Sequence, residues 1–221
     1  MIDAQVRRIL ERPLSATARV LDVPWVTPDR LTLAGLAIGV ASAGLAAAQW
    51  WWLALAAWYV SRVLDGLDGA LARRRRARNP DAKASEAGGF LDITADFVVY
   101  GTTVVGVAVG VTAGFGAPWW PFLAVLLTYY INGATFLAFS SIAEKTGRQI
   151  DDGRSLSFFG RVAEGGETFL IHSLWLILPA FAWQIAIVWA VVVAFSAAQR
   201  MITGYRLLGQ AQRPLGSAPP N

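Results

Sequence analysis

The sequence predicts an all-α integral membrane protein: six transmembrane helices preceded by an N-terminal amphipathic juxtamembrane helix. Three observations carry this. Of 221 residues, 55% are hydrophobic and only 15% charged, where a soluble domain carries about 25% charged residues. All 34 charged residues fall in four windows, 3–30, 62–96, 144–167 and 200–213, which leaves uncharged gaps at 31–61, 97–143 and 168–199. Each gap, with its flanks, accommodates two apolar helices of about 20 residues joined by a short loop. Mean hydropathy, at +0.46, agrees.

Boundaries read this way fall near 31–49, 52–72, 90–112, 119–141, 164–181 and 183–205. Every basic residue then lies on one side of the membrane, which the positive-inside rule makes cytoplasmic. The opposite loops are short and aromatic: Gln49-Trp50-Trp51-Trp52, Gly116-Ala117-Pro118-Trp119-Trp120 and Pro179 to Trp183. Tryptophan clusters of this kind suit a membrane–water interface. The expectation is a multi-pass protein of the cytoplasmic, bacterial-type inner membrane, with both termini on the cytoplasmic side. It divides into a juxtamembrane segment 1–29, a membrane domain 30–208 and a flexible tail 209–221. Cysteine is absent, so a metal must use oxygen ligands or His172. The first 20 residues have no continuous apolar run, so no cleavable signal peptide is expected.

Residues 1–24 set Val6, Ile9, Leu10 and Leu14 against Arg7, Arg8 and Arg12. They read either as an amphipathic helix on the leaflet, bent at Pro13, or as a basic arm that sets topology. Thr27 before Pro28 is a helix start, and it opens the first span. The small residues of that span suit close helix packing. Gly106, Gly110 and Gly114, four apart in the third span, suit either packing within the protomer or a homodimer interface. The run Arg73-Arg74-Arg75-Arg76 with Arg78 reads as a topology anchor and lipid-headgroup contact, and Arg73 has a further role below. The run is short and follows directly on a span, so it gives no nucleic-acid partner. His172, alone in an apolar stretch, reads as a packed residue.

Chemistry concentrates in 65–96. Asp65 and Asp68 are three apart and Asp92 and Asp96 four apart, so on helices each pair shares a face. Four carboxylates at the ends of apolar helices cost a few kcal/mol each on insertion scales, unless cations offset them. Gly66, Gly69, Gly88 and Gly89 leave room beside both pairs. Hard oxygen ligands favour Mg²⁺ or Mn²⁺. Such ions complete their shell with water and phosphate, and Arg73 could meet the same phosphate in a bidentate way.

The pattern Asp65-x-x-Asp68-Gly69-x-x-Ala72-Arg73, then Gly88-x-x-x-Asp92-x-x-x-Asp96, resembles the CDP-alcohol phosphotransferases at all eight defining positions. Pro28-Asp29-Arg30-Leu31-Thr32 is similar to the family's Pro-Asn-x-x-Thr element, with Asp in place of Asn. One departure is the 14-residue interval between Arg73 and Gly88, longer than the family pattern. It is expected to bulge out as a cytoplasmic loop beside an intact site, since added loop length costs little.

The resemblance implies transfer of a phosphoalcohol, such as phosphatidyl from CDP-diacylglycerol, to an acceptor hydroxyl, with release of CMP, in phospholipid biosynthesis. It implies two divalent cations bridged by Asp65 and Asp92, one completed by Asp68 and the other by Asp96. Asp96 is also the implied general base. Asp29, Thr32, Gly69, Arg73 and Ser85 would hold the CDP portion. The partners implied are the CDP-alcohol donor, a small alcohol or phospho-alcohol acceptor, and membrane lipid. Lys145, Arg161 and Arg200 lie roughly where relatives with a phosphorylated acceptor keep basic residues, although the positive-inside rule also accounts for them. Residues 160–168, with Glu164 and Glu167 three apart, would line an acceptor pocket or cap the fifth span. Two rival readings use intramembrane carboxylates, an Asp-rich prenyltransferase and a cation-coupled transporter. The Ala-Arg after Asp-Gly and the Gly-to-Asp spacing weigh against the first.

Overall fold

The computed structural model describes residues 13–79, 85–145 and 165–210. All regular structure among them is helical. A helix over 13–20 (α1) leads into α2 (Pro28–Ala47), α3 (Trp51–Arg78), α4 (Glu86–Phe115) and α5 (Trp120–Lys145). Then come α6 (Gly165–Ile177), a 3₁₀ turn (Pro179–Phe181) and α7 (Ala182–Gln210). Four segments are long and apolar enough to cross a membrane: α2, α4, α5 and Pro179–Gly209. Helix α3, at 28 residues, has the length, about 42 Å, but its second half holds the charged residues. Thirteen residues of α6 are described.

Local chemistry sets the boundaries. Thr27 caps α2 by accepting the Arg30 amide at 3.3 Å, with Pro28 in the first turn. Ser85 caps α4 by accepting the Gly88 amide at 2.9 Å. Each satisfies a donor that the helix leaves open. Gly116 ends α4 at φ 63°, in the left-handed region that glycine enters without a Cβ penalty. Arg75, Arg76 and Arg78 sit in the last turn of α3, where cations favour the negative end of the helix dipole.

Helix α2 lies along both α3 and α4, while α5 pairs with α7. The α2–α4 approach is close enough that a Cβ on Gly106 would collide with the Ala43 backbone. One on Gly110 would meet the Ala46 carbonyl and Trp51. The glycine spacing is thus taken up inside the protomer. Ser42 donates to Ala54 O and Ser61 to Gly35 O, each at 2.7 Å, which ties α2 to α3. Such hydroxyl bonds and small-residue contacts drive helix association where there is no water to expel. The main core packs Trp58, Val99, Phe122, Trp175, Leu176 and Val193 from the long helices. His172 is fully buried, stacked at 4.7 Å on Trp175, with Nε2 3.1 Å from the Tyr129 hydroxyl. It is a packed residue, as expected.

A second, smaller core sits at the charged end of the bundle. Ala18 and Val26 of the juxtamembrane segment pack with Ala70 and Leu71 of α3, flanked by Leu14, Leu21, Val23 and Leu31. Helix α1 is described from Pro13 onward, and the bend expected there depends on residues outside the described ones. The expected apolar and basic positions at 6–12 lie outside the described residues.

Half of the 74–87 interval is helix: residues 74–78 continue α3 and 86–87 belong to α4, while 80–84, where the bulged loop is expected, lie outside the described residues. At this end of α3 the Asp22 carboxylate meets Arg74 Nε at 3.0 Å, Arg75 Nε at 3.2 Å and Arg78 Nη1 at 2.5 Å. Arg75 also donates to Val23 O and Val26 O. Arg74, Arg75 and Arg78 therefore grip the protein's own juxtamembrane segment, where the sequence reading assigned them to lipid.

Candidate active site

Helices α3 and α4 run past each other so that the two carboxylate pairs, 24 or more residues apart in sequence, meet at the charged end. One carboxylate oxygen from each of Asp65, Asp68 and Asp92 lies within 4.8 Å of the others. Three carboxylates this close repel unless a cation lies among them. All the donors are hard oxygens, a set that fits a magnesium-type ion. Asp68, buried at 5% exposure, is held by a short bond of 2.5 Å from the Thr32 hydroxyl. Thr32 therefore does a job the sequence reading did not give it: it orients a carboxylate of the cluster.

Asp96 lies at the edge of this group. Its Oδ1 accepts from Arg62 Nη1 at 2.6 Å, and the same nitrogen lies 3.6 Å from Asp65 Oδ1. Sequence spacing alone gives Arg62 no function. The signal was present, since a cation set among apolar positions ahead of Asp65 needs a buried partner.

Around the cluster, Asp29 lies beside Gly88, its Oδ1 3.3 Å from where a Cβ there would sit. Arg73 folds back over Gly69, its Nη1 3.2 Å from the corresponding Cβ position. The structure thus brings Asp29, Gly88 and Ser85 together at the start of α4. Lys145 ends α5, exposed. Arg200 lines a mainly apolar cleft of about 500 Å³ between α5 and α7, with Phe139, Met201 and Arg206. Arg161 and residues 160–164 lie outside the described residues.

Helices of membrane-crossing length around a carboxylate cluster with metal-ligating reach define an integral membrane protein with a cation-type site. The chain belongs to the CDP-alcohol phosphatidyltransferase family, which matches residues 25–196, and is a CDP-alcohol phosphotransferase. The prenyltransferase and transporter readings fall with that match. An inner membrane protein of Escherichia coli K12, YnjF, is 36% identical over 219 residues, covering 96% of this chain and 100% of that protein. Archaetidylinositol phosphate synthase of Pyrococcus horikoshii is 33% identical over 107 residues, 48% of this chain and 54% of the relative. The phosphatidylinositol phosphate synthase of Mycobacterium tuberculosis, in a crystal structure with CDP-DAG bound, shares the fold. Its TM-score is 0.60 at 23% identity, with 93% of this chain and 96% of that one covered.

Proposed function

We propose that the protein transfers a phosphatidyl group from CDP-diacylglycerol to the hydroxyl of a phosphorylated polyol, inositol phosphate being the type acceptor, and releases CMP. The observation that carries this is the convergence of Asp65, Asp68 and Asp92 to within 4.8 Å in a chain of this family. Six spans with both termini and the site on the cytoplasmic side complete the reading. The confinement of basic residues to one end supports it.

Asp65, Asp68, Asp92 and Asp96 would hold two divalent ions, Mg²⁺ or Mn²⁺. Bound there, the ions would polarise the pyrophosphate and offset charge building on the departing CMP. Arg73 and Gly69, with Asp29, Thr32 and Ser85, take the CDP portion. Arg73 supplies a fork for phosphate oxygens, and Gly69 leaves the space beside it. The acceptor oxygen forms a bond to the phosphorus that carries the diacylglycerol, and the bond from that phosphorus to CMP breaks. Asp96, partly exposed and outside the triad, receives the hydroxyl proton. Lys145, Arg161 and Arg200 meet the acceptor phosphate. The names of the archaeal and mycobacterial relatives support that choice of acceptor.

The test is CMP release from CDP-diacylglycerol with Mg²⁺ across inositol phosphate, glycerol phosphate, inositol, serine and phosphatidylglycerol. Turnover is expected with inositol phosphate. Turnover with inositol or serine alone would remove the phosphate-binding role of Lys145, Arg161 and Arg200. Asp96→Asn should lower kcat by about 100-fold or more, the usual worth of a general base, while CDP-diacylglycerol still binds. Near-normal kcat would remove Asp96 as the base.

A further inference from the structure

We propose that Arg62 is a positioning residue for the transfer reaction. It is a guanidinium built into the α3–α4 contact that ties the Asp96 carboxylate to the edge of the Asp65–Asp68–Asp92 cluster and so sets where that carboxylate meets the acceptor hydroxyl. The proposal rests on the reading of Asp96 as the base.

The geometry holds Arg62 from several directions. Its flat faces lie against Trp58 and Tyr100, with Cζ 5.4 Å and 5.2 Å from the ring centroids. Both distances are inside the range for cation–π attraction. Trp58 is itself fixed, fully buried and donating Nε1 to Ser173 Oγ on α6 at 3.2 Å. Arg62 Nη2 donates to Ser61 Oγ at 3.2 Å, and Ser61 donates onward to Gly35 O on α2. Residues from α2, α3, α4 and α6 therefore all bear on one side chain. Nη1 meets Asp96 Oδ1 at 2.6 Å and lies 3.6 Å from Asp65 Oδ1.

The pair is unequally buried. The side chain of Arg62 is 9% exposed and that of Asp96 38%. The cation sits behind, in the packed interior, and the carboxylate sits in front, where a substrate can reach it. One carboxylate oxygen is engaged by Arg62, so the carboxylate can turn only about that contact. A buried guanidinium without a partner is costly, which gives the arrangement its stiffness. Lysine would keep the charge but lose the planar faces and the second donor arm.

Asp92 and Asp96 are one turn apart on α4, yet only Asp92 joins the triad. Arg62 Nη1 is the one hydrogen-bond donor to Asp96 among the described contacts, so it sets the orientation of a carboxylate that the proposed reaction uses both beside an ion and toward the hydroxyl.

The experiment uses full-length protein in lipid nanodiscs and the variants Arg62→Gln, Arg62→Lys, Asp96→Asn and the double variant R62Q/D96N. Three quantities are read: kcat and KM for CDP-diacylglycerol, Mn²⁺ binding by electron paramagnetic resonance without donor, and the thermal midpoint. For Arg62→Gln, kcat should fall about 100-fold, the cost of a misplacement on the order of 1 Å, with donor KM unchanged and Mn²⁺ still bound by the Asp65–Asp68–Asp92 group. Arg62→Lys should return part of that kcat, because a charge there still attracts Asp96. The double variant should lose less in thermal midpoint than the two single losses added together, since the two residues share one interaction.

Wild-type kcat in Arg62→Gln would overturn the proposal. So would parallel loss of donor KM and Mn²⁺ binding, no recovery in Arg62→Lys, or additive midpoints. If Asp96→Asn is inactive while Arg62→Gln turns over normally, only the role of Arg62 fails. If Asp96→Asn turns over normally, the base assignment itself fails.

Discussion

At the scale of single residues, the bond from Thr32 to Asp68 shows how the bundle prepares a carboxylate for a cation. The hydroxyl donates to Asp68 Oδ2 at 2.5 Å and lies 3.2 Å from Pro28 O one turn earlier. That links the start of α2 to the cluster on α3. Groups that orient a ligand in this way are typically worth about 10- to 100-fold in metal affinity. Thr32→Val, which keeps the shape and removes the hydroxyl, should therefore raise the Mg²⁺ concentration for half-maximal CMP release by about 10-fold. Titrating activity and Mn²⁺ binding in parallel checks this. An unchanged requirement would show that Thr32 serves the nucleotide alone. The aspartates were legible from sequence because spacings of three and four place them on one helix face whatever the tertiary fold. The Thr32–Asp68 and Arg62–Asp96 contacts were not, since they span 36 and 34 positions and depend on how helices are seated.

At the scale of elements, the juxtamembrane segment is docked by charge as much as by apolar contact. The hydrogen bond from Arg75 is the largest influence holding the Asp22 carboxyl below its ordinary range, helped by Arg74 and by the charge of Arg78. A depressed folded-state value means that docking gains stability above the unfolded value, about pH 4. The gain is lost as pH falls through the lower folded value. Hydrogen exchange of amides 14–26, corrected for intrinsic rates, should accordingly rise in the wild type as pH drops below about 4. Asp22→Asn should show the raised exchange already at neutral pH, with little added by acid. Equal protection in both proteins would leave the small apolar core of Ala18, Val26, Ala70 and Leu71 as the whole of the docking. An arginine run after a span reads as a topology signal because nothing local distinguishes its partner. Asp22 lies 52 to 56 positions away. The glycines of α4 had the same ambiguity between a dimer and an internal contact. Only the seating of Gly106 and Gly110 on Ala43 and Ala46 resolves it.

For the whole molecule, the charge segregation that predicts six spans also predicts which way the site faces. Among the described residues, Arg73, Arg74, Arg75, Arg76 and Arg78 follow the carboxylates on α3, while exposed Trp50, Trp52, Trp119 and Trp120 mark the other end. A nucleotide donor is met in the cytoplasm, so the proposed reaction and the positive-inside rule demand the same orientation. The absence of cysteine makes this directly measurable. Single substitutions Ala48→Cys and Ala180→Cys, exposed at the tryptophan end, should react with a membrane-impermeant maleimide in permeabilised-envelope cells. Ala77→Cys and Gly209→Cys, exposed at the charged end, should react only after lysis. Ala180 and Gly209 bracket the last span and Ala48 and Ala77 the second, so the four positions test α3 although its charges keep it from reading as a span by composition. Labelling of Ala77→Cys from outside would place the Arg74–Asp22 docking, and the carboxylate cluster one helical face away, on the side where no nucleotide is supplied.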